Sequence, residues 1–156
     1  MDKFKNLIVL GPLIYAIHHF EEHTIFNFIE WKLQYFQHSA AALSTEAILA
    51  ILTCILVSFA LLHLVKNNRA SAHVILFMLF AIQVINAFYH IFFSFYFSDF
   101  SPGAITAALL YLPVNFLIAQ AAFREGYLKS YFEYGCIAFL GTTTFVLFEI
   151  IGPLII

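Results

Sequence analysis

The sequence predicts an all-α integral membrane bundle of five transmembrane helices, N-terminus in and C-terminus out, and three observations carry that expectation. Of 156 residues, 63% are hydrophobic and 10% charged, against roughly 45–50% and about 25% in soluble domains. Five apolar segments, at about 6–28, 43–65, 72–97, 104–123 and 131–152, approach the ~20 residues that a spanning helix needs. The links between them are short, which makes consecutive helices antiparallel neighbours in one domain over residues 1–156. In lipid the backbone must satisfy its own hydrogen bonds, so helices are the expected form for all five.

The first segment places Lys3 and Lys5 before an apolar run, as a signal peptide does. No small-residue cleavage site follows, so an uncleaved first helix is expected. Gly11 and Pro12 are placed to kink it. The stretch "EWKLQYFQH", 30–38, is too polar to span; with Trp31, Tyr35 and Phe36 it reads as a short interfacial helix or loop on the outer side. Ser44 or Thr45 can cap the second helix, with Glu46 in its first turn. Before the fourth, Pro102 suits a first helical turn and Gly103 permits close backbone approach. The free N–H groups at that helix start would suit a substrate carboxylate or phosphate.

Orientation follows from the basic residues. Lys3, Lys5, Lys66, Arg69, Arg124 and Lys129 fall on one side and Lys32 alone on the other, so the first side is cytoplasmic. A multi-pass protein of the cell membrane follows, with membrane lipids as its surroundings and a homo-oligomer left open. The formal net charge of −2 offers nothing to nucleic acid. Cys54 and Cys136 lie in apolar segments and are expected as two buried thiols rather than a disulfide.

On this topology the intramembrane polar residues gather at the outer end. His18, Glu21 and Glu22 come from helix 1, Glu46 from helix 2, Asn86 and His90 from helix 3, Thr106 from helix 4 and Glu149 from helix 5. Ionisable groups in lipid cost roughly 2.5–3.5 kcal/mol each on insertion scales and persist where they pair or line a functional cavity. At about 100° per residue, Glu22 lies about 40° to one side of His18 and Glu21 about 60° to the other, so all three share a face. His19 and His23 share a neighbouring face. Carboxylates and imidazoles from facing helices make up the ligand type of bundle metal sites.

Blander readings stand beside this one. Glu21 and Glu22 could mark where helix 1 leaves the membrane, and Glu46 could be ordinary helix-start chemistry. Asn86 and His90 could form an interhelical hydrogen-bond pair, and Glu149 could simply reach water. His38, His63 and His73 are expected at membrane boundaries.

At "HHFEE", with His18, Glu21 and Glu22 as H-x-x-E-E, the chain resembles the HXXEE domain family of small bacterial membrane proteins. Trp31, the "NAFYH" of Asn86 and His90, and the "SPGAITAALLYLP" of Pro102, Gly103, Thr106 and Pro113 follow in the expected order, so the resemblance covers about residues 8–120. Two departures fall in the outer links: "NFIEW" has no proline before the tryptophan, and Ser101 replaces an aromatic before Pro102. The resemblance implies a polar site and no particular activity.

The expected function is a metal-dependent membrane enzyme, hydrolase in preference to oxidase, acting on a lipid-like or amphipathic small molecule. His18, Glu21, Glu22, Glu46 and His90 are the expected ligands of a divalent metal, zinc rather than iron. Glu22 is the expected general base, and Asn86, Thr106 and Glu149 are expected around the ligands or against substrate. The alternatives are a metal-independent lipid isomerase or lipid-binding bundle using a carboxylate pair, and a small cation or proton transporter.

Overall fold

The computed structural model describes residues 3–36 and 44–155, with side chains as far as 149. Its described residues form helices and no strand. Helix α1 (Lys3–Ile8) and helix α2 (Leu10–Phe20) are separated at Val9. Pro12 carries no N–H with which to bond the Ile8 carbonyl four residues back, which accounts for the break. α2 passes into a wide π turn, Glu21–Ile25, and α3 (Phe28–Phe36) follows. Residues 37–43, including His38, lie outside the described residues.

α4 (Thr45–Lys66) begins on Ser44, whose hydroxyl accepts from Ala47 N–H at 3.2 Å. It ends on Asn67 in the left-handed region at φ 45°. Asn68 then caps α5 (Arg69–Tyr96) in a reciprocal capping box with Ser71. Two adjacent asparagines thus turn one long helix into the next. α6 (Ala104–Arg124) and α7 (Tyr131–Ile155) complete the bundle.

α4, α5, α6 and the Tyr131–Glu149 part of α7 are long and apolar enough to cross a membrane. The sequence led us to expect five such helices. The first segment is helical, but its division at Val9 leaves no continuous helix of that length there. Outward faces are strongly apolar, with Val65 and Phe95 each 80% exposed and Phe139 71%, which suits a hydrocarbon surround. Cys54 and Cys136 are free thiols on those outer faces, not buried as expected. A small, weakly polar side chain suits hydrocarbon as well as a core.

The core lies among α1, α2, α4, α5 and α6, where Phe4, Ile8, Leu56, Ile75, Leu79, Tyr111 and Ile118 are buried. α7 is peripheral: among the core residues it supplies Ile137. A polar chain crosses the middle of the bundle. Gln83 donates to the Gly11 carbonyl at 2.7 Å, and Asn115 donates to Gln83 Oε1 at 2.9 Å. Gly11 makes this crossing possible, since a Cβ there would come within 2.7 Å of Leu79 Cδ2. His63, expected at a boundary, is buried between α4 and α5 with Nδ1 3.0 Å from Ser71 Oγ. His73 bonds the Tyr127 carbonyl at 2.9 Å.

Candidate metal centre

Among the described residues three π turns interrupt the helices, and each carries a buried polar side chain. Glu21 and Glu22 open the first, Gln83 lies in the second (Phe80–Val84) and Tyr111 ends the third (Ala107–Tyr111). In the first, Phe26 N–H reaches back five residues to the Glu21 carbonyl at 3.0 Å. In the third, Pro113 has no N–H for the Leu109 carbonyl, and the Leu112 N–H reaches back five residues to the Ala107 carbonyl. Such turns are frequent at functional sites because they redirect side chains without ending the helix.

His18 and Glu22, one turn apart, meet His90 of α5. Glu22 Oε1 lies 2.8 Å from His90 Nε2 and 3.3 Å from His18 Nε2. All three residues are buried, and their ligand atoms lie within 4.8 Å of one another. Among the described residues they are the one such group of three or more His, Cys, Asp or Glu side chains.

The far side of each ring is held by a hydroxyl. His18 Nδ1 is 2.7 Å from Thr106 Oγ1, and Thr106 Oγ1 itself donates to the Gly103 carbonyl at 3.3 Å. The hydroxyl therefore accepts from Nδ1–H, which leaves the lone pair of His18 on Nε2. His90 Nδ1 is 2.9 Å from Ser101 Oγ. Ser101 N–H donates to Ser94 Oγ at 2.9 Å, and Ser94 donates to the His90 carbonyl at 2.7 Å. Neither Nε2 has a hydrogen-bond partner of good geometry.

Glu21 has a different partner. Its Oε1 accepts from Ile105 N–H at 3.2 Å and its Oε2 from Thr106 N–H at 2.7 Å, so the carboxylate caps α6. The helix start that the sequence offered to a substrate anion is filled by the chain's own glutamate. Thr106 thereby ties Glu21 to His18 through two atoms of one residue.

Gly103 closes the site. Its φ is 97°, and a Cβ there would come within 2.8 Å of His18 Cε1, 3.0 Å of Glu22 Cγ and 3.1 Å of His90 Cε1. Only glycine combines that backbone angle with that contact. Aromatic rings enclose the rest: Tyr111 packs tilted on His18 with centroids 4.3 Å apart, and Phe28 packs on His90 at 5.2 Å.

The other expected residues lie elsewhere. Glu46 is exposed in the first turn of α4, outside the cluster, where helix-start chemistry accounts for it. Glu149 pairs with Lys32 at 2.8 Å, outside the cluster. Asn86, one turn before His90, is half-buried, with a buried Oδ1 that has no partner. His19 bonds the Thr45 carbonyl at 2.9 Å, and His23 lies 3.9 Å from Glu22 Oε2. Sequence reasoning missed Ser101, treating it as a departure in a loop. A single serine beside "PG" carries no signal of its own, and its role is visible only once the loop folds back over His90.

These features define a class: a helical bundle of membrane-spanning character with a buried His/Glu cluster. Within it, the chain belongs to the HXXEE family, described as a protein of unknown function with HXXEE motif, over residues 9–118. That range contains every residue of the cluster and of its hydroxyl and glycine supports. No curated protein and no solved structure matches the chain.

Proposed function

We propose that His18, Glu22 and His90 hold a divalent metal, zinc in preference to iron, in a multi-pass cell-membrane enzyme that hydrolyses a lipid-like or amphipathic substrate. In this reading α1–α2 form a fifth span, the N-terminus is cytoplasmic, and the cluster sits near the outer leaflet.

The observation that carries the reading is the meeting of acceptors. The lone pair of His18 Nε2 faces Glu22 Oε1 at 3.3 Å with no hydrogen bond to relieve it. A buried carboxylate against two imidazole nitrogens is costly unless a cation or a shared proton joins them. Two histidines and one glutamate are a donor set of catalytic zinc sites, which keep a fourth position open. Hydroxyl contacts behind both rings are what fixes the tautomer of metal-binding histidines. Bound there, the metal would supply a Lewis acid and acidify water. Glu22 Oε2, 3.9 Å from His23 Nε2, is the carboxylate oxygen left to receive a proton. Glu21 and Thr106 would orient the histidine without touching substrate.

The 2.8 Å approach of Glu22 to His90 also suits a metal-free pair that shares a proton, as a lipid isomerase would use. Elemental analysis of protein purified without chelators separates the two. About one zinc per chain is expected in the wild type, lost in His18→Ala, His90→Ala and Glu22→Gln. A folded, metal-free wild type would overturn the metal reading.

A further inference from the structure

A second pair of imidazoles stands beside the cluster and takes no part in it. His19 and His23 are four residues apart in "HFEEH", the spacing at which helical histidines share one zinc ion. Their ring centroids lie 4.4 Å apart. His19 Nε2 is 2.9 Å from the Thr45 carbonyl. A carbonyl oxygen only accepts, so Nε2 carries the proton and the lone pair of His19 is on Nδ1. A backbone carbonyl behind one ring nitrogen is the contact that orients a metal-binding histidine.

Glu22 lies between the two imidazole pairs. Its Oε1 faces His18 and His90, and its Oε2 faces His23 Nε2 at 3.9 Å. That distance is too long for a hydrogen bond. Two ligand atoms on one tetrahedral zinc ion stand roughly 3.4 Å apart, so a closure of about half an ångström would seat an ion there. The first π turn allows the approach: neighbours on an α-helix point about 100° apart, yet here Glu22 and His23 converge.

Exposure rises in the same direction. The side chains of His18 and His90 are 0% and 1% exposed, Glu22 is 9% and His23 19%. His23 is therefore the ring with room to close on Glu22. The carboxylates of Glu22 and Glu46 both act on His23, and that of Glu21 acts on His90. Together they carry more negative charge than one divalent ion neutralises.

Resting on the proposed metal reading, we propose that His19 Nδ1, His23 Nε2 and Glu22 Oε2 hold a second divalent ion, with Glu22 bridging it to the first. Two histidines and one glutamate then serve each ion, and the second lies on the more open side. Bridged ions stand roughly 3.5–4 Å apart and can hold an attacking water and a leaving oxygen together. Glu22 Oε2 takes the second ion where it would otherwise take a proton.

The test is zinc stoichiometry on the full chain in detergent, as purified and after equilibration with excess zinc and dialysis. The more open site loads last, so the wild type is expected to rise from about one zinc per chain to about two. His19→Ala and His23→Ala are each expected to stop at about one, and that retained zinc shows that the chain is folded. After cobalt substitution, the wild type is expected to lose EPR intensity through coupling of the bridged ions, and His23→Ala to recover the signal of an isolated ion. A wild type that saturates at one zinc would overturn the second site and leave the first standing. A second zinc that persists in both histidine variants, without coupling, is adventitious and overturns it too. A folded wild type that takes up no zinc overturns the metal reading itself.

Discussion

At the residue scale, the two glutamates of the motif have different work. Glu22 faces two imidazoles and Glu21 faces two backbone amides. Glu21→Gln loses one acceptor at the α6 cap and is expected to cost about 1–2 kcal/mol of stability, read by thermal unfolding in detergent, with metal content retained. Glu22→Gln is expected to do the reverse, emptying the site with little loss of stability. Gly103→Ala must find a positive φ for alanine and room among three ring and chain carbons. About 2–4 kcal/mol is expected from strain and overpacking together, and metal should be lost with it. His18, Glu22 and His90 were legible in the sequence because ionisable groups inside apolar segments are anomalous. Helical phase also led us to expect both glutamates on one face with His18. It could not say that neighbours on that face would take different partners, since His90 belongs to α5 and the amides that hold Glu21 belong to the start of α6, 84 and 85 residues later.

At the element scale, irregular turns shape the bundle more than regular helix does. The apolar segments announced α4 to α7 by length, with boundaries close to those expected. The π turns were not legible, because widening by one residue is decided by tertiary contacts; Pro113 alone offered a local reason. Gln83 shows what such a turn can carry, bonding both Gly11 and Asn115 in the interior. Gln83→Ala is expected to cost about 2–3 kcal/mol, from unpaired polar groups and lost packing, without changing metal content. Lys32 and Glu149 join α3 to α7 through a half-exposed ion pair. Glu149→Gln is expected to cost at most about 1 kcal/mol and to leave the metal in place, as befits a residue outside the cluster.

At the scale of the whole molecule, membrane character was the most legible property, since composition alone sets it. Orientation rests on six basic residues against one and is open to direct measurement. An alkaline phosphatase fused after residue 156 is expected to be active, and the same enzyme fused within 66–69 inactive. An inactive C-terminal fusion would overturn that orientation.

The spread of the site along the chain has a consequence for biogenesis. Its side chains and supports come from residues 18–22 and 90–106, and α7 adds none of them. During synthesis the two imidazoles become neighbours only after α5 has inserted and the 97–103 link has folded back. On the proposed metal reading, capture of the ion would therefore follow the insertion of α5 and the folding of that link. An early-arrested chain would display the motif named by its family yet bind nothing.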